Sequence, residues 1–346
     1  MYNSRNQCKL TFDNNLFFTL DDYRNNMFIS NNPREVINFY KGFEFRDQLI
    51  DWMMNRPVGR IKIYEVDGDK EIIVVVATAD YNGQFARNCK DNMYKGLHII
   101  FVESGSIPDP YFSVSNSVNA GVNKAIKYNP KWIIISSDDL YKIDDISQLS
   151  NQLGQIKNNS VKTVFVSSGI YHSKPMYLAN PRVSYHLTVK FLSLFSDIWK
   201  YREEILKALQ KFNGQNVYYT LNEYSVLDKR TSIFDNVKMK LFHSLCFKKI
   251  FSFINMLDFV VISGTYANEK GGKILDETFI NEMEDTDFSV DMCRNKSNYA
   301  FVDFQIGDYI GSSMGNTIAR ECRVVPGYTY FSEKAEKEYN FISKSS

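Results

Sequence analysis

Ile72-Ile73-Val74-Val75-Val76-Ala77-Thr78-Ala79-Asp80 is the stretch on which the reading of this chain turns. An apolar, mostly β-branched run ends in a hydroxyl and an acid. Two later runs repeat the pattern. Leu97–Val102 is followed by Glu103-Ser104-Gly105, and Trp132–Ile135 by Ser136-Ser137-Asp138-Asp139. Short β-branched runs separated by helical segments predict parallel strands of an α/β sheet. In such sheets ligands bind beyond the carboxyl ends of the strands, which is where these acids fall. A further cluster, Glu284-Asp285-Thr286-Asp287, lies far downstream.

Outward from these runs the chain alternates. Helices are predicted over 86–95, 118–128 and 143–158, and a fourth strand over 161–167. Pro181 to Lys211 holds a long amphipathic pattern with Phe191, Leu192, Leu194, Phe195, Ile198 and Trp199 on its apolar face. Before the first run, Asn31-Asn32-Pro33 reads as a helix start. Ile61–Val66 alternates like a strand, with Asp67-Gly68 as a turn. The 70 or so residues ahead of the core are read as packing against it. Ala335–Tyr339 is read as a short terminal helix. There is no internal repeat.

Composition narrows the classes. The 346 residues are 44% hydrophobic, enough for a large core. Lys plus Arg number 41 against 40 acids, which leaves no electrostatic footprint for nucleic acid. The five cysteines (Cys8, Cys89, Cys246, Cys293, Cys322) have no metal-ligand spacing and read as reduced thiols in a reducing, cytoplasmic compartment. The start of the chain carries no apolar signal segment, and no run is long enough to predict a spanning helix. The stretch from Lys238 to Ile254, with Lys248-Lys249 among aromatics, suits peripheral contact with the inner face of a membrane. A buried helix is the competing reading.

Five segments resemble family 2 glycosyltransferases. Val75–Asn82 is similar to the first strand and loop of that family, and Ile99–Ser106 to its second strand, which usually ends in Asp-Asn-Gly-Ser. Asn119-Ala120-Gly121 resembles the Asn-x-Gly segment ahead of the third strand. Ser136-Ser137-Asp138 stands where the family carries Asp-x-Asp. Gly272–Phe279 followed by Glu284-Asp285 resembles its "GG-x-DE-x-F…ED" stretch. The resemblance covers roughly residues 71–315. It implies an α/β fold of GT-A type: a mostly parallel central sheet flanked by helices, preceded by an N-terminal α+β extension. The implied organisation is an extension at 1–70, a nucleotide-sugar-binding half at 71–225, an acceptor and catalytic half at 226–325, and a tail at 326–346.

The implied activity is transfer of a sugar from a nucleotide-diphosphate sugar to a glycan or lipid-linked acceptor hydroxyl, with inversion. Asp138 and Asp139 would hold Mn²⁺ or Mg²⁺, ions that take oxygen ligands from one or two carboxylates plus substrate phosphates. The competing reading is a helix N-cap. Thr78, Asp80, Glu103, Asn119 and Ser136 would contact the nucleotide-sugar, and Asp80 reads equally well as a turn residue. Asp285 would act as base with Glu284 beside it; the alternative is an acidic first helical turn. Where relatives carry a downstream His this chain has none, and Gln305 or Asp308 stand in its place. Gly307, Gly311, Ser312 and Ser313 suit a polar loop closing over phosphate. A nucleotidyltransferase would show a Gly-rich loop with Lys near the first strand, and a dehydrogenase a Gly-x-Gly-x-x-Gly; neither is present. The alternative from another class is a catalytically degenerate GT-A-like glycan-binding or scaffold protein.

Overall fold

Seven strands form the central sheet: β1 Lys62–Val66, β2 Asp69–Thr78, β3 Leu97–Glu103, β4 Trp132–Ser137, β5 Thr163–Val166, β6 Phe259–Ser263 and β7 Tyr299–Val302. Their spatial order is β7-β5-β6-β4-β2-β3-β1. β2 runs parallel to β3 and β4, and β5 to β7, whereas β1 and β6 are antiparallel to their neighbours. The sheet is therefore mixed, with five strands sharing one direction. In this computed structural model the described residues are 32–104, 111–167, 173–179, 201–214, 218–220, 247–255, 258–308 and 318–339, with a strand pair at 10–11 and 17–18 and single positions 187 and 245.

The unbroken β-branched runs follow from burial on both faces. Ile72, Val74 and Val76 pack with Ile99, Phe101, Ile134, Tyr94 and Leu149 in one layer. Ile73 and Val75 pack with Ile100, Val102, Ile135, Val122 and Phe288 in the other. The first layer takes its helices from α3 (Gln84–Asn88) and its π-turn continuation Cys89–Met93, and from α5 (Ile146–Gln155). The second takes α4 (Val114–Ala125), α7 (Gly264–Glu269) and α8 (Glu284–Cys293). The β2–β3 crossover thus runs over one face. The β3–β4 crossover returns over the other, past β2. Strand order reverses between β2 and β4, and that junction is where an α/β sheet opens a crevice.

A separate core joins the two ends of the chain. Helices α1 (Pro33–Lys41) and α2 (Arg46–Asn55) pack with α6 (Arg202–Asn213) and α10 (Val324–Lys334), which follows the short α9 (Ile318–Glu321). α1 begins as the Asn-Pro signal predicts: the Asn32 side chain accepts from Arg34 N and Pro33 is the first helical residue. Tyr40 Oη donates to the Cys322 carbonyl at 2.7 Å, and Arg46 pairs with Glu336 at 3.3 Å. The residues ahead of the sheet and those expected as a tail therefore build one helical layer.

Three expectations shift. The helix expected from 118 begins at Val114, because Ser113 caps it by accepting from Asn116 N. Lys248 and Lys249, read as part of a helix or a membrane-facing segment, lie in strand Phe247–Asn255 of a three-stranded sheet with 173–179 and 218–220. β-branched and aromatic residues favour that geometry. The amphipathic pattern ending at Lys211 survives in the described residues as α6, while 188–200 lie outside them. Among the described residues no helix is long and apolar enough to cross a membrane.

Candidate functional site

Register brings the strand-end groups together. Thr78 pairs with Glu103 across β2 and β3, and Ala77 with Ser137 across β2 and β4. Because side chains alternate, Thr78, Glu103 and Asp138 project to the same face at the carboxyl edge. Thr78 Oγ1 donates to Asp138 Oδ2 at 2.5 Å, so the contact spans the junction where strand order reverses. Thr78 Oγ1 also accepts from Asp80 N at 3.2 Å, and Asp80 Oδ1 accepts from Asn82 N at 2.9 Å. Asp80 is thus an exposed turn residue, close enough for its charge to act on Asp138. Burial above all pushes the Asp138 carboxyl up to about 6; the Thr78 hydroxyl opposes this, and the charges of Asp139 and Asp80 add to it.

Glu103 is drawn inward. Its Oε2 accepts from Tyr81 N at 2.9 Å, and Lys62 lies 3.6 Å from Oε1. The Tyr81 ring stacks on Tyr64 at 4.2 Å, and Lys90 sits 4.1 Å above it. Glu103 therefore pins the loop after β2 from its place at the carboxyl edge. Ser136 is buried against Tyr94, 2.6 Å from its hydroxyl. Thr78 rather than Ser136 supplies the hydroxyl beside Asp138. Ser137 and Asp139 are half-buried. Immediately beyond them, Leu140–Lys142 pairs with Ile306–Asp308, and the register Asp308↔Leu140 brings that downstream strand beside the acidic turn. Gly311, Ser312 and Ser313 lie outside the described residues.

Asn119 does not reach the Thr78–Asp138 contact. Its Oδ1 accepts from Ile274 N and Leu275 N, both at 3.0 Å, and its Nδ2 donates to Leu275 O and Glu277 Oε1. The Asn-x-Gly segment is a seat for the 271–279 strip. A Cβ on Gly121 would lie 2.3 Å from Val75 Cγ1, and Gly272, at φ +79°, lies so close to Asn123 that a Cβ would meet its Cα at 2.7 Å. The strip runs antiparallel to α4, from Asn123 near Gly271 to Asn281, whose side chain accepts from Val114 N at 2.7 Å. α4 descends from the carboxyl edge, so the strip climbs back to it. Glu284 and Asp285 then open α8 at that same edge.

At that opening Met283 adopts φ +73°, a left-handed conformation uncommon for its type. Asp285 is half-buried and its Oδ1 accepts from Thr286 N at 2.6 Å. Asp287 is buried: Tyr339 donates to it at 2.5 Å and Lys334 at 2.8 Å. Lys334 reaches Asp276 at 2.8 Å too, where Tyr330 also donates. Burial raises the Asp287 carboxyl above its ordinary value, against Lys334 and Tyr339. At Asp276 burial is outweighed by Lys334, the Thr278 amide and Tyr330, and the carboxyl is held low. This ion triad was not legible in sequence, because Lys334 lies far downstream of both acids and no local spacing links them.

The metal expectation meets a spare donor set. Among the described residues no three His, Cys, Asp or Glu side chains converge. Asp138 and Asp139 are nonetheless oxygen donors of the kind Mg²⁺ uses, since that ion keeps waters and substrate phosphates as its other ligands. A half-buried carboxyl facing two like charges is chemistry a cation would relieve. Compared with family models, curated proteins and solved structures, the chain matches none.

Proposed function

We propose that the chain is a nucleotide-sugar-dependent glycosyltransferase of GT-A type, working at the carboxyl edge between β2 and β4. The observation that carries this reading is the Thr78–Asp138 contact at that junction, with Asp138 held at a raised pKa among Asp139 and Asp80. A carboxyl perturbed by desolvation and by neighbouring like charges at the carboxyl edge of an α/β sheet is a functional-site candidate. Asp138 and Asp139 would hold the divalent cation, and Asp80 and Glu103 would edge the donor pocket. The ion, when bound, supplies positive charge against which a diphosphate departs.

The residues of this chain account for the rest. Asp285, at the start of α8 and on the same edge, takes the proton from the acceptor hydroxyl as its oxygen forms the bond to the anomeric carbon. The bond from that carbon to the diphosphate breaks, and its electron pair leaves with the nucleoside diphosphate. Attack from the face opposite the leaving group inverts the anomeric centre. Asp287 is spoken for by Lys334 and Tyr339, so it orients α8 rather than moving protons.

The test is a thermal-shift panel of UDP, GDP, dTDP and ADP sugars with and without Mn²⁺. One nucleotide class should raise the melting temperature only when the metal is present. At 100 times its dissociation constant a ligand stabilises by about 2.7 kcal/mol. No shift with any of the four would reject the reading.

A further inference from the structure

The turn that carries Asp138 and Asp139 is tied to a segment that the proposed mechanism does not use. α3 runs on into the π-turn Cys89–Met93, in which Tyr94 N donates to Cys89 O at 2.9 Å. On an α-helix, residues five apart face about 140° away from one another at 3.6 residues per turn. A π-turn closes on the fifth residue and brings them to one side. Asn88, Cys89 and Tyr94 accordingly all meet the chain as it leaves β4. The Asn88 amide donates to the Leu140 carbonyl at 3.2 Å, and the Cys89 thiol donates to the Asp138 carbonyl at 3.6 Å. The Ser136 hydroxyl gives its one proton to the Ser137 carbonyl at 2.7 Å, so it accepts from the Tyr94 hydroxyl at 2.6 Å. Asn92 donates to Asn88 Oδ1 at 3.1 Å, which fixes the Asn88 amide with its NH₂ toward Leu140.

These contacts reach the carbonyls of Ser137, Asp138 and Leu140, so the backbone is anchored on both sides of Asp139. β4 ends at Ser137, and past a strand's end the backbone needs donors from elsewhere. Cys89 and Tyr94 are fully buried, yet what they present to the turn is a thiol and a hydroxyl. The demand at this point is electrostatic. The charges of Asp139 and Asp80 act on Asp138, and a free turn would relieve that repulsion by swinging its carboxylates apart. A turn tied at three carbonyls keeps them together. The same segment also holds the loop after β2: Lys90 donates to the Tyr81 carbonyl at 3.3 Å and stands 4.1 Å above its ring, while Glu103 accepts from Tyr81 N. One short stretch of chain therefore fastens both strand-end loops of this edge.

We propose that the 88–94 segment is the positioning element of the carboxyl-edge site, with Asn88 and Cys89 fixing the backbone on either side of Asp139 so that both carboxylates meet one divalent cation. The role toward the cation rests on the glycosyltransferase reading; the hold on the turn does not. These side chains act through the backbone of the turn and not on the ion. The experiment takes the full chain, Asn88→Ala and Cys89→Ala, and titrates Mn²⁺ at a fixed level of UDP, GDP, dTDP or ADP, whichever the native chain binds. The nucleotide is then titrated at saturating Mn²⁺. Half-saturating Mn²⁺ should rise about tenfold or more in both variants, as loss of an outer partner of a metal ligand does, with nucleotide affinity at saturating Mn²⁺ nearly unchanged. A residue that only supports the fold would lower the melting temperature and leave the Mn²⁺ midpoint of the folded protein where it was. Amide hydrogen exchange gives a second readout without any ligand: residues 138–141 should exchange faster in both variants, with the strands unchanged. Asn88 is only half-buried, so Asn88→Ala decides the matter if Cys89→Ala melts below assay temperature. An unchanged Mn²⁺ midpoint in Asn88→Ala would overturn the positioning role and leave the glycosyltransferase reading standing. Should none of the four nucleotides bind the native chain with Mn²⁺, that reading falls and exchange alone decides: faster exchange confined to 138–141 keeps the hold on the turn, and unchanged exchange there ends it.

Discussion

Asp138→Asn should make the ligand-free protein more stable while removing its metal-dependent nucleotide binding. The Asp138 carboxyl is pushed from an ordinary value of 3.8 to about 6. That rise of roughly two pH units corresponds to about 3 kcal/mol at 1.36 kcal/mol per unit, an upper bound for a half-buried group. The folded-state pKa lies above the unfolded one, so the charged form costs stability. The cost is full above about pH 6, shrinks between about 6 and 4, and is absent below the unfolded value near 4. Asparagine keeps an oxygen that can accept from Thr78, so the hydrogen bond survives the exchange. Urea unfolding of both proteins without metal should show the variant ahead by up to about 3 kcal/mol at pH 8 and level at pH 4. Calorimetry with UDP and Mn²⁺ should show binding to the native chain and none to the variant. A variant less stable than the native chain at pH 8, or a gap that persists at pH 4, would mean that the charge of Asp138 is not what costs stability there and that the reasoning fails.

Three other perturbations test the second half of the chain. Lys334→Met strands Asp276 and Asp287 beside each other with side chains 23% and 11% exposed, and breaking such a buried pair costs about 3–5 kcal/mol. Both acids then carry raised folded-state pKa values, so the deficit seen by urea unfolding at pH 7.5 should narrow toward pH 4; a deficit that grew on acidification would refute the assignment. Asn119→Ala removes the seat of Ile274 and Leu275 and leaves two buried amides unmatched, a loss of roughly 1–3 kcal/mol, with hydrogen exchange quickening at 274–279; unchanged exchange there would dismiss the clamp. Asp285→Asn should cut turnover by about 10²-fold or more with donor affinity nearly unchanged, and near-normal turnover would send the search for the base to Glu284.

The sheet was readable because burial on both faces leaves a plain mark: β2, β3, β4 and β5 all coincide with β-branched runs. Phe259–Ser263 and Tyr299–Val302 were not read as strands, and the reversed direction of β6 leaves no mark of its own, since its apolar run would read the same in either orientation. The strand Phe247–Asn255 was missed because its aromatic and basic residues also satisfy a helical stripe, and pairing with a segment far away in sequence decided between the two. Thr78, Asp138 and Glu103 were legible as strand-end groups. Ser136 and Asn119 were legible only as motif positions, and which atoms they touch, Tyr94 in one case and the 274–277 strip in the other, depends on elements whose sequence spacing carries no signal.

The two acidic clusters look alike as sequence and are opposites as chemistry. In Glu284-Asp285-Thr286-Asp287 the innermost acid is matched by an ammonium and a phenol, so its charge belongs to the fold. In Ser136-Ser137-Asp138-Asp139 the inner acid receives a threonine hydroxyl and faces two more carboxylates, and among the described residues no Lys, Arg or His forms an ion pair with it. A chain does not gain stability from that second arrangement. It raises the energy of the ligand-free state at one point on the carboxyl edge, and the proposed cation would recover that energy on binding. Asp285 lies between the two cases. It is anchored by α8, whose next acid is tied to α10 through Lys334, so the proposed base is held on a rigid element while the proposed metal ligand is held on an uncomfortable one. Positioning a proton acceptor demands the first property, and binding an ion reversibly with its substrate demands the second.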